Sequence, residues 1–273
     1  DRSPSRGLGD VYKRQHRNLQ CHKGDTFREL LSMWEESGYC EGIDAEDRFC
    51  WVGGVGDILL YEYARFDFMP EGWNHALFSN MQLSCDTCTP WIFWSRHPRK
   101  LEAEIKRGIL PYDKRETESI FLGKIENDIQ FEVRNTHDWS TCIEEFNMPV
   151  VMGNVNYYPY TQEEYLIKVK QSKFGLVLPG YGPKCNREIE YLGLGTVPIY
   201  TDGCSLDFYN PMEEGVHYLK ASSPEEVKDI MDNISENEWV NLSNNGRGWY
   251  DTNCSRKGSF DTTQRILEGL KHE

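Results

Sequence analysis

Arg187 and Glu190 stand three residues apart in "NREIEYLGLG" (186–195), directly after the loop "PGYGPKCN" (179–186). At that spacing an arginine and a glutamate share one face of a helix. Together they suit a nucleotide. The guanidinium donates two parallel hydrogen bonds to phosphate, and the carboxylate accepts from two vicinal ribose hydroxyls. A cation in a helix's first turn is opposed by the helix dipole, by roughly 0.3–1 kcal/mol, unless an anion sits there. The surrounding charges agree. Between Tyr165 and Arg187 there is no acidic residue, while Lys168, Lys170, Lys173, Lys184 and Arg187 are basic, in a chain of net charge -14. Gly180 and Gly182 let backbone approach a ligand closely. The helix that follows points free N–H groups into the same space. The competing reading is an exposed ion pair within the helix, worth about 0.3–0.5 kcal/mol. R-x-x-E alone favours that reading; the Gly loop and the acid-free window favour an anion site.

Such a site needs a sheet edge to hold it. Short apolar runs at 119–123, 148–153, 174–180, 196–200 and 216–221 read as buried strands. Helical patterns fall between them at 126–135, 161–172, 186–195 and 222–234. The second opens with a Thr161–Glu164 capping box, and the last has Ser223 as N-cap and Pro224 at the first helical position. This alternation predicts a parallel sheet with right-handed crossovers, and residues 113–256 as one doubly wound α/β domain. Ligands then sit beyond the carboxyl ends of the strands. The first half is less regular. Residues 48–66 suggest strand, Gly turn and helix, and 91–110 suggest a strand followed by an amphipathic helix. Residues 16–112 are expected to form a second, smaller α/β domain, joined near 110–115. Residues 257–273 read as a terminal helix.

The chain has 273 residues, 38% hydrophobic and 13% aromatic, enough for a sizeable core in one or two domains. Its acidic balance argues against a nucleic-acid partner. No run is long and apolar enough to span a bilayer. Nine scattered cysteines do not suggest a disulfide scaffold, and the single "CDTC" pair (85–88) is a weak metal signal. The opening "DRSPSRGLGDVYKRQ" (1–15) has no apolar periodicity and no signal-peptide core. It resembles translated sequencing-adapter read-through, an artefactual tail, which implies that the natural N-terminus is not represented. Cytoplasm and Golgi lumen both stay open as compartments. Sequons at Asn233, Asn241 and Asn253 matter only in the second case.

The stretch "SKFGLVLPGYGPKCNREIEYLGLGTVPIYTDG" (172–203) resembles the nucleotide-sugar-binding half of GT-B glycosyltransferases, most closely the exostosin-like family. Ser172, Lys173, Phe174, Pro179, Gly180, Arg187, Glu190, Gly195, Pro198 and Asp202 carry the resemblance. Ile199 stands where valine is usual, and Gly193 where alanine is common. Fucosyltransferase families share a related signature, so the donor is not fixed. The resemblance covers 113–256 well and the first half loosely. It implies two Rossmann-like domains facing a cleft, the N-terminal one small or truncated. It also implies transfer of a hexosyl or pentosyl group from a nucleotide-diphosphate sugar to a hydroxyl of a glycan or glycoprotein. Lys173, Arg187 and the loop Gly180, Tyr181 and Gly182 would hold the diphosphate, and Glu190 the ribose. Gly123 and Lys124 would face the cleft. Arg115 and Arg134 are either further phosphate contacts or ordinary surface arginines.

Glycosyl transfer leaves negative charge on the departing diphosphate, and something must stabilise it. A metal-holding D-x-D is not found; Asp44-Ala45-Glu46 is the nearest match. The basic window and the helix terminus can do that work, so no metal or cofactor is expected beside the nucleotide-sugar co-substrate. An inverting reaction also needs a base for the acceptor hydroxyl. Asp57 in "WVGGVGD" fits best, although an N-cap for a helix starting at Ile58 is the leading reading of that residue. Glu62, Asp67 and His75 are other candidates, and His97 reads as structural. Two alternatives compete. One is a non-catalytic nucleotide- or glycan-binding relic. The other is a nicotinamide-dependent oxidoreductase built on "WVGGVGD", where Leu59 replaces the third glycine of the fingerprint.

Overall fold

The computed structural model describes residues 24–39, 43–46, 49–52, 58–61, 75–78, 88–152, 158–180 and 182–270. Among these the chain is α/β, with eight α-helices and three sheets. Helix α1 (Gly24–Glu36) comes first. Strands β1 (Ile43–Glu46) and β2 (Phe49–Val52) form an antiparallel pair. Strands β3 (Ile58–Tyr61), β4 (His75–Phe78) and β5 (Cys88–Pro90) form a parallel sheet in that order. The helix expected after the Gly turn at 53–56 is therefore replaced by β3. Ile58 lies opposite His75 and Tyr61 opposite Phe78, so partner strands override the local helical pattern. The strand expected at 91–94 is an irregular connector whose residues 91–95 are all buried; α2 (Pro98–Lys106) follows it.

The second half runs β6 (Thr117–Leu122), α3 (Asp128–Arg134), β7 (Glu145–Asn147), α4 (Gln162–Gln171), β8 (Ser172–Val177), α5 (Asn186–Leu194), β9 (Val197–Tyr200) and β10 (Leu219–Lys220). Helices α6 (Pro224–Asn233), α7 (Glu236–Asn253) and α8 (Arg256–Leu270) complete it. The sheet is wholly parallel in the order β10-β9-β8-β6-β7. Counted from β6 this is the 2-1-3-4-5 doubly wound order, whose crevice opens where the winding reverses, between β6 and β8. β7 begins before its expected apolar run, and Val150 and Met152 of that run are exposed.

Side chains alternate across the sheet with period two. Ile120, Leu122, Val177 and Tyr200 pack with Ile189, Tyr191 and Leu192 of α5 on one face. Phe121, Phe174, Leu176, Val197 and Ile199 pack with Val227 of α6 and Trp239 of α7 on the other. Each large buried side chain contributes about 1.5–3 kcal/mol, and covering both faces is what a parallel sheet requires. The predicted caps form. Thr161 and Glu164 close a capping box on α4, and Ser223 accepts from the Glu226 amide. A second box, Ser235 with Glu238, opens the long α7, which the apolar pattern alone does not reveal. Gly195 ends α5 at φ 71, in the left-handed region that favours glycine. Helix α8 reaches back to the first half: Trp34 Nε1 donates to Ser259 Oγ (3.0 Å) and Trp91 Nε1 to Thr263 Oγ1 (2.8 Å). Among the described residues no helix is long and apolar enough to cross a membrane.

Candidate functional site

The loop leaving β8 runs straight into α5, so the helix N-terminus meets the carboxyl edge of the sheet between β6 and β8. Cys185 is the N-cap, and its side chain caps no amide. The first-turn N–H groups are therefore not satisfied by a cap. Arg187 turns inward over that edge. Its Nη2 donates to the carbonyl of Leu122, the last residue of β6 (2.9 Å), and its guanidinium lies 4.3 Å from the centre of the Phe121 ring. Its Nε is buried without a hydrogen-bond partner. Gly123 makes the room for this: a Cβ there would stand 2.9 Å from Arg187 Nη2 and 2.8 Å from the Phe121 ring.

Arg134, the last residue of α3, approaches the same ring, at 5.9 Å. It is 5% exposed. Its Nε donates to Pro179 O (2.8 Å) and its Nη1 to Lys124 O (2.5 Å), so it ties the loop after β6 to the loop after β8. Burial pushes its pKa down; the Cys185 side chain opposes this and the charge of Arg187 adds to it. Among the described residues, neither Arg134 nor Arg187 forms an ion pair with a carboxylate; both bond backbone carbonyls instead. Lys124 is nearly buried beside them and pairs with Glu126 at 2.7 Å. Arg134 is buried and Arg187 half-buried, and both guanidiniums bond neutral carbonyls rather than carboxylates, an arrangement that an anion beside them would favour.

One turn along α5, Glu190 is 2% exposed. Its Oε1 accepts from the Arg96 amide (3.1 Å) and from Gln162 Nε2 (3.4 Å). Burial raises its pKa, against the Arg96 amide and the charge of Arg187. Asn186 Nδ2 donates to Trp94 O (2.8 Å), so the start of α5 clasps the connector at two points. In the adjoining loop the Gly180 amide donates to Gly182 O (3.0 Å).

No protein-family model matches the chain, and no curated protein matches it either.

Gly123, Lys124, Arg134, Gly180, Gly182, Arg187 and Glu190 thus gather at the carboxyl edge around the β6–β8 crevice. Lys173 does not join them. It is the second residue of β8, at the opposite end of that strand, where its Nζ donates to Glu118 (2.7 Å) and lies over the Tyr112 ring. Arg115 is also at that entry edge. It donates to the carbonyls of Leu110, Ser172 and Leu194 and to Thr196 Oγ1, and burial lowers its pKa to about 9. It is a structural clamp rather than a phosphate contact. Asp57 and Tyr181 lie outside the described residues, as do Glu62 and Asp67. The helix that Asp57 was expected to cap is β3, and the same finding weakens the dinucleotide alternative, which needs a helix after its glycines. Asn253 is buried and bonded to Asn210 and Trp249 O, so its sequon is closed in the folded chain.

Sequence reasoning missed Arg96 and Glu188. Glu188 is fully buried, and its carboxylate has the Cys185 amide near it but outside full hydrogen-bond geometry. Burial raises its pKa to about 8, against the Cys185 amide and the charges of Lys184 and Arg187. Lys184, one turn earlier, is buried too. Its Nζ donates to Asp207 O and lies over the Phe208 ring, and burial lowers its pKa to about 8. The i, i+4 spacing of Lys184 and Glu188 was the available signal.

Proposed function

We propose that the chain is a glycosyltransferase of GT-B type, moving a sugar from a nucleotide-diphosphate donor to a hydroxyl of a glycan or glycoprotein. One observation carries this reading. At the crevice of a doubly wound sheet, Arg187 and Arg134 share the Phe121 ring without a carboxylate partner, at the uncapped N-terminus of α5. A diphosphate supplies the missing charge, and it is the leaving group whose developing charge must be stabilised. In the reaction the acceptor oxygen forms a bond to the anomeric carbon. The bond from that carbon to the diphosphate oxygen breaks, its electron pair leaves with the diphosphate, and the hydroxyl proton passes to a base.

Arg187 holds the diphosphate in this reading. Arg134 shapes the crevice by tying its two loops, and Glu190 offers its second oxygen to the ribose. Asp57 remains the proposed base. The resemblance of 172–203 to the exostosin-like family supports the assignment, and so does the two-point grip of α5 on the connector from the first half. The GT-B arrangement of two domains around a cleft is part of the proposal.

The test is release of UDP or GDP from a panel of nucleotide sugars, with and without glycan acceptors. Turnover supports the transferase. Nucleotide binding without turnover replaces it with a non-catalytic binding protein, and absence of nucleotide binding removes the site.

A further inference from the structure

The connector between the two halves ends in an arginine that the donor site does not yet use. Residues 91–95 are buried in succession, and at Arg96 the chain turns outward and the side chain is exposed. The anchors on either side are firm. Trp91 Nε1 donates to Thr263, Trp91 O accepts from the Tyr209 amide, and Trp94 O accepts from Asn186. The amide of Arg96 itself is on Glu190, and His97 starts α2 with Pro98 at its first position. Arg96 thus leaves a buried, hydrogen-bonded connector at one of the two points where α5 grips it, with its side chain exposed beside Glu190.

Its neighbours already have partners. Lys100 pairs with Glu163 (2.9 Å) and Arg99 with Glu36 (2.6 Å). Among the described residues the Arg96 side chain has no hydrogen bond and no ion pair; the α4 carboxylate Glu163 is on Lys100 instead. Its charge is felt at Glu190 and at the Tyr158 hydroxyl, both of which also feel Arg187. Arg96 therefore adds to the same positive field as Arg187, from the solvent side.

We infer that Arg96 is a further ligand-binding residue, a rim cation that closes on the outer phosphate of a nucleoside diphosphate held below by Arg187. This rests on the diphosphate-site reading above and extends it to phosphate count. A site with an inner and an outer guanidinium discriminates a diphosphate from a monophosphate, because only the diphosphate reaches both. The connector also makes the first half of the chain a contributor to donor binding.

The experiment is calorimetric titration of UDP, GDP, UMP and GMP into the full chain and into R96A, R96K and R187A. R96A is exposed and leaves the Glu190 bond in place, since that bond uses the backbone; thermal melts check that it folds as the parent does. R96A is expected to weaken diphosphate binding by about five- to tenfold and monophosphate binding by less than about twofold, with partial rescue in R96K. R187A is expected to weaken both. Unchanged diphosphate affinity in R96A, alongside loss in R187A, overturns the role of Arg96 and leaves the site standing. Unchanged affinity in R187A as well overturns the site itself.

Discussion

The guanidinium of Arg187 lies 4.3 Å over the ring of Phe121, and its Nη2 bonds the carbonyl of the next residue, Leu122. A helix on one side of the crevice thereby reaches the end of a strand on the other. Face contact with an aromatic ring holds a guanidinium in place and leaves its in-plane N–H groups for acceptors; here Nη2 takes the Leu122 carbonyl and Nη1 is left for a ligand.

Removing that guanidinium is expected to weaken nucleotide binding strongly. R187A should lose about 2–5 kcal/mol of UDP or GDP binding by calorimetry while keeping a parent-like circular dichroism spectrum. Retained affinity would place the anion elsewhere.

Gly123 should tolerate no side chain. An added methyl meets Arg187 Nη2 at 2.9 Å and the Phe121 ring at 2.8 Å. G123A is expected to cost about 1–3 kcal/mol in denaturant melts and to weaken nucleotide binding, because the displaced group is the one that binds.

Lys173 offers the opposite test. It sits at the entry end of β8, paired with Glu118. K173A is expected to leave nucleotide affinity within about twofold and to change stability by less than about 1 kcal/mol. A large affinity loss would contradict the placement of this residue away from the crevice.

Arg115 should behave as a fold residue. R115A takes the guanidinium donor away from the carbonyls of Leu110, Ser172 and Leu194, leaves the buried Leu194 carbonyl without it, and opens a void beside Trp239. A loss of at least about 3 kcal/mol is expected in urea melts, with unchanged affinity for nucleotide in the fraction that folds.

Glu188 sets a pH dependence. Its pKa rises from 4.5 to about 8 on folding, so the folded chain holds an extra proton between those values. Its contribution to stability is thus present at pH below the unfolded value and falls as pH rises toward 8, with a slope of up to about 1.4 kcal/mol per pH unit. E188Q should flatten that part of the stability profile, between about pH 5 and about 8, as read by urea melts at each pH. An equally steep profile in E188Q would assign the slope to other groups.

Much of the second half could be read along the chain. The Thr161–Glu164 and Ser223 caps, the glycine that ends α5, the alternation within β6, β8 and β9, and the shared face of Arg187 and Glu190 all involve residues a few positions apart. Capping, period-two alternation and one-turn adjacency are local geometry, so a short window of residue types contains them. Other facts depend on which elements become neighbours. Lys173 is close to Gly180 in order, yet the direction of β8 carries the two to opposite edges. Arg134 and Arg187 are far apart in order, yet strand pairing of β6 with β8 brings both to Phe121. The run at 58–61 becomes a strand because 75–78 lies beside it. Burial of Glu188 and exposure of Arg96 are likewise consequences of packing between distant segments, and no local pattern of residue types encodes them.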